Sequence, residues 1–134
     1  MSTSASSVPS ELALHLTIPA VESFVDLIRT AVGRVAQLAG FTFDGIEDLA
    51  LAANEAAGLL LDLAPRSLEI EVRAPTADQR TAALVEMRAV GPQAEWPPPN
   101  LERDLRWQVL TAICEEVQVR ADDHCGLVLV QGTR

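Results

Sequence analysis

The chain has 134 residues, 49% hydrophobic and 22% charged, the balance of a soluble globular domain rather than of a disordered chain or a disulfide scaffold. Ten basic against nineteen acidic residues give a net charge of -9, which repels phosphate backbones and anionic membrane surfaces and excludes nucleic acid as a first partner. All ten basic residues are arginine, so Schiff-base chemistry, a lysine general base and a lysine phosphate loop are excluded as well.

Residues 1–10, MSTSASSVPS, read as a flexible tail, and 11–134 as one domain. Leu12, Leu14, Leu16 and Ile18 alternate with Ala13, His15 and Thr17, the period of a half-buried strand that Pro19 ends. Val21, Phe24, Val25, Ile28, Val32 and Val35 then recur at helical spacing, predicting a helix from Val21 to Ala39 with Gly40 as its stop. Asp44 and Glu47 have capping-box spacing and open a second helix through about Leu63, apolar nearly all round and rich in alanine.

Leu68, Ile70 and Val72 alternate with charged residues, and Ala83 to Val90 is a second extended run; with the polar stretch Pro75 to Thr81 between them they predict a hairpin. GPQAEWPPPN forbids a helix and favours an extended loop. A third helix is expected from about Leu101 to Glu116, with Leu105, Val109, Ala112 and Ile113 on its buried face and Trp107 in the core. Val117 to Ala121 and Leu127 to Gln131 close the chain as strands around an acidic turn at Asp122 and Asp123. The order βααββαββ predicts an α+β two-layer sandwich, helices packed on one face of a mostly antiparallel sheet.

Cys114 and Cys125 lack CxxC spacing, and His124 beside Cys125 lacks a second ligand pair, so reduced thiols in a cytoplasmic protein are the expectation, with no metal site. No signal peptide or membrane span is expected. One ionisable residue lies in a predominantly apolar segment: Glu55, beside Asn54, on the second helix. A carboxylate there is either a general base or metal neighbour, or a residue at a solvent-facing edge.

The proline-ended strand, the helix carrying Arg29, and FDGIEDLALAANEA together resemble the anti-sigma factors of the RsbW type, in the GHKL superfamily of histidine kinase-like ATPases. LRWQVLTAICEEVQVRADDHCGLVLVQGT resembles the same family's last helix and closing strands, so the likeness covers about residues 11 to 131. It implies the Bergerat-type fold and a site for ATP and Mg²⁺. In that family a helical Glu-x-x-x-Asn supplies a base and a magnesium ligand; Glu55 fills the first place, but Leu59 fills the second, and Asn54 points about 100° away. The adenine-recognising Asp-x-Gly falls on Ala89, Val90 and Gly91, of which Gly91 alone remains. The glycine-rich phosphate lid is replaced by the proline loop, whose prolines lack N–H donors.

With Asn54, Glu55 and Gly91 as nucleotide-site remnants, phosphoryl transfer is expected to be disabled and no cofactor required. The resemblance implies instead a homodimer that sequesters a sigma factor, with Arg29, Glu22 and Asp26 on the first helix facing the partner and a STAS-type anti-anti-sigma factor competing. The alternative is an ATP-dependent serine/threonine protein kinase with Glu55 as base, acting on that antagonist. A third reading is a GHKL-derived domain with neither role, holding another protein or a small molecule in the old cleft. For Arg29 itself the bland reading is a solvated side chain. Trp96 reads as either a plug over the vacant cleft or an exposed binding anchor. The pairs Glu115–Glu116 and Asp122–Asp123 read as solvated surface, or as acidic patches meeting a basic partner.

Overall fold

A computed structural model describes residues 11–75, 82–122 and 125–132. The tail at 1–10, the hairpin connection at 76–81, and Asp123 and His124 lie outside the described residues.

Five strands form one antiparallel sheet: β1 (Glu11–Pro19), β2 (Ser67–Pro75), β3 (Ala82–Val90), β4 (Glu116–Arg120) and β5 (Gly126–Gly132), in the spatial order β1-β2-β3-β5-β4. Three helices, α1 (Val25–Leu38), α2 (Phe43–Leu61) and α3 (Leu105–Ile113), complete the expected order βααββαββ. Alternation is the reason the sheet has one covered face. In register, Ile18 pairs with Leu68 and Leu68 with Ala89, while Val72 pairs with Val85 and Val85 with Leu129, so apolar side chains line one side of every strand. Ile28 and Val32 of α1 and Leu49, Ala53, Ala56 and Leu60 of α2 are fully buried in the same core cluster, which gives the two-layer α+β sandwich.

Several boundaries differ from the sequence expectation. Glu22–Phe24 is a short 3-10 turn, and α1 begins only at Val25, so Val21 and Phe24 are exposed rather than on the buried stripe. Gly40 does end the helix, at φ +88°, with Phe41 N–H donating to Ala36 O at 3.0 Å. The N-cap of α2 is Thr42, whose hydroxyl accepts from Gly45 N–H at 3.1 Å; Asp44 sits in the first turn, where a carboxylate interacts with the helix dipole. The third helix is shorter than its hydrophobic spacing suggests. Asp104 caps it through Arg106 N–H at 2.8 Å, Leu105 is 72% exposed, Ala112 is exposed, and Leu110 is the fully buried residue. The buried seam runs through Leu110, with Trp107 and Ile113 packed alongside.

Candidate functional site

The sequence places its candidate chemistry on α2 and on the segment after β3. Asn54 and Glu55 are both half-buried there. One turn after Glu55, at the position where a magnesium ligand would be needed, Leu59 is 3% exposed and part of the core. Its side chain contributes apolar packing and no oxygen.

The adjoining part of α2 is sealed by α3. A Cβ added at Gly58 would lie 2.9 Å from Nη1 of Arg106, so the arginine crosses the helix directly over this glycine. Its guanidinium donates to Asp62 at the end of α2 and lies 3.5 Å from the Asp104 carboxylate. Burial works against the charge, yet the hydrogen bonds and charges of Asp62 and Asp104 outweigh it and hold the Arg106 pKa above the ordinary guanidinium value. Arg106 is a structural contact that hydrophobic spacing could not reveal, because its partner Asp62 lies 44 residues away.

Gly91, the other remnant, adopts φ +69°, and a Cβ there would come within 2.8 Å of Nε of Arg66. The Arg66 side chain therefore lies over this glycine, where a side chain would otherwise stand. The proline-rich segment that follows is a strap tied at both ends. Gln93 N–H donates to Leu63 O at 2.7 Å, the indole N–H of Trp96 donates to the carbonyl of Arg120 at 2.9 Å, and Leu101 is buried. The strap at 91–100 contains no helix, but it bends at Trp96 and Pro97 and turns at Pro99 and Asn100 rather than running extended. Trp96 is 8% exposed and belongs to the core, which removes its reading as an exposed anchor.

On α1, Arg29 and Asp26 are exposed and ion-paired to each other, and Glu22 is exposed on the preceding 3-10 turn rather than on the helix. The exposed apolar residues Val21, Phe24 and Leu27 accompany them. Among the described residues no group of three or more His, Cys, Asp or Glu side chains is placed to hold a metal ion, and His124 lies outside them. The cysteines are free and sit at opposite ends of β5. Glu115, next to Cys114, donates its N–H to Val130 O at 3.0 Å, whereas the carbonyl of Cys125, just before Gly126, accepts from Ala89 N–H. That separation, roughly 20 Å along the strand, is far beyond disulfide reach. Burial, reinforced by the Asp48 carboxylate, pushes the Cys114 thiol up to about 11, so it stays protonated at neutral pH.

The arrangement is that of an α+β sandwich in which Leu59 is core and Arg106 and Arg66 lie over Gly58 and Gly91. No known family profile matches the chain. A stretch of 49 residues is 37% identical to the serine-protein kinase RsbW of Halalkalibacterium halodurans. This match spans 37% of the chain and 30% of that kinase's length. Among the described residues no helix is long and apolar enough to cross a membrane.

Proposed function

We propose that the protein is an anti-sigma factor of the RsbW type that binds and sequesters a sigma factor by direct contact, without nucleotide, and is released by a STAS-type anti-anti-sigma factor. The local identity to a serine-protein kinase RsbW supports the family reading. The observation that carries the nucleotide-free part is the burial of Leu59 one turn from Glu55. A magnesium ion beside the base position Glu55 would find a core leucine where the family supplies its asparagine ligand. Arg106 over Gly58, Arg66 over Gly91 and the tied strap add to the same conclusion, so the residues present do not fit a magnesium nucleotide and no phosphoryl-transfer step is assigned to them.

What remains for a partner is the outer side of α1. Arg29 offers a planar guanidinium suited to carboxylates across an interface, and Phe24 and Leu27 offer uncovered apolar area beside it. A protein of charge -9 suits holding a DNA-binding partner rather than DNA. The kinase alternative is separated by calorimetric titration with Mg-ATP. The proposal expects no binding; binding that disappears on Glu55→Ala would establish the kinase reading instead.

A further inference from the structure

The face of the sheet away from the helices is not a flat solvated surface. It carries an open groove of about 450 Å³, within the size range of small-molecule sites. Two cross-strand rows build it. In the first, Glu69 pairs with Arg88, Arg88 with Gly126 and Gly126 with Arg120; in the second, His15 pairs with Glu71, Glu71 with Glu86 and Glu86 with Val128. Val128 is 3% exposed and forms an apolar floor. At Gly126 a Cβ would come within 2.1 Å of the Met87 carbonyl oxygen, so glycine is required where β5 runs against β3, in the row between Arg88 and Arg120.

The charges in this groove are unevenly satisfied. Glu71 lies 3.0 Å from both His15 Nε2 and Arg73 Nε, and Arg88 pairs with Glu69 at 2.9 Å. Glu86 and Arg120 form no ion pair within 4 Å of a described residue, although Glu86 lies close enough to Arg73 for their charges to attract. Glu86 also stands directly opposite Glu71, an arrangement of like charges that costs stability in a sheet and that a bound cation would relieve. Arg120 is two strands away and two residues along, roughly 12 Å between Cα atoms, a gap that the two side chains shorten to about the length of a dipeptide.

We propose that this face binds a small zwitterion of the short-peptide class, its ammonium group between Glu71 and Glu86 and its carboxylate on Arg120. The inference does not depend on the sigma-factor reading, which concerns the opposite layer of the molecule. The test uses the full chain, labelled with ¹⁵N, and diglycine as the probe. N-acetyl-diglycine, without the ammonium, and diglycinamide, without the carboxylate, are the controls. Saturable shifts are expected at the Gly126 and Val128 amides and at the Trp96 indole N–H, which reports on the Arg120 carbonyl. Both controls should bind about tenfold more weakly, as should diglycine to Glu86→Gln and to Arg120→Gln. Both substitutions are at the surface, and an unchanged amide spectrum elsewhere shows that the variants are folded. The proposal is overturned by the absence of saturable shifts, by equal binding of all three probes, or by shifts centred on another surface. Shifts of the same amides that depend on protein concentration alone would also overturn it, because the face would then belong to a second copy of the chain.

Discussion

Helices α1 and α2 lie side by side on the same sheet, yet they treat their polar residues in opposite ways. On α2 the face that holds Glu55 continues into a core leucine, a glycine crossed by Arg106, and an aspartate held by that arginine. On α1 the charged residues Asp26 and Arg29 pair with each other in solvent, beside uncovered Leu27. One helix uses these positions for packing, and the other keeps a surface that packing does not need. The difference separates two kinds of importance: changes on α2 should be read in stability, and changes on α1 in partner binding.

The largest expected effect is Leu59→Ala, which should cost about 2–5 kcal/mol in denaturant unfolding because it opens a cavity in the core. A near-zero cost would mean that the site face of α2 is not sealed. A pH effect comes next. The folded Cys114 thiol titrates at about 11 against an ordinary value of 9.0, so the folded state holds its proton more tightly. Its contribution is complete below pH 9 and is lost as pH rises from 9 towards 11. A Cys114→Ser control should flatten that part of the profile, and native-state alkylation at pH 8 should label Cys125 ahead of Cys114.

Smaller again is Trp96→Phe, which keeps the ring but removes the indole donor to Arg120 and should cost about 1 kcal/mol in thermal unfolding. Thr42→Ala should cost about 1 kcal/mol and Asp44→Ala only a few tenths, since the first removes the cap and the second a dipole interaction. The reverse order would restore Asp44 as the cap. Arg29→Ala belongs at the end of the stability scale, within about 0.5 kcal/mol of the parent, while titrations with a sigma factor should show a clear loss of affinity. Equal losses of stability and binding would erase the contrast between the helices.

The fold was legible in the sequence wherever one periodicity acted alone. Leu68, Ile70 and Val72 alternate cleanly, and β2 is found where that pattern lies. Where two signals competed, caps decided. Asp44 offered good spacing but Thr42 took the cap, and Asp104 set the start of α3 at Leu105, which faces solvent while Leu110 faces the core. The vacancy at Leu59 could be read directly from spacing, because helical geometry fixes what lies one turn from Glu55. The covering of Gly58 by Arg106 and of Gly91 by Arg66 could not be, since each depends on the meeting of separate elements. Nor could the groove on the open face: Glu71, Glu86, Gly126 and Arg120 become neighbours only through the strand register.

Capture of a sigma factor without nucleotide is decided by calorimetry with each sigma factor of the host, in the absence and presence of Mg-ATP. A complex with one of them is expected, with the same affinity in both conditions. Failure to bind any, or binding that requires Mg-ATP, would contradict it.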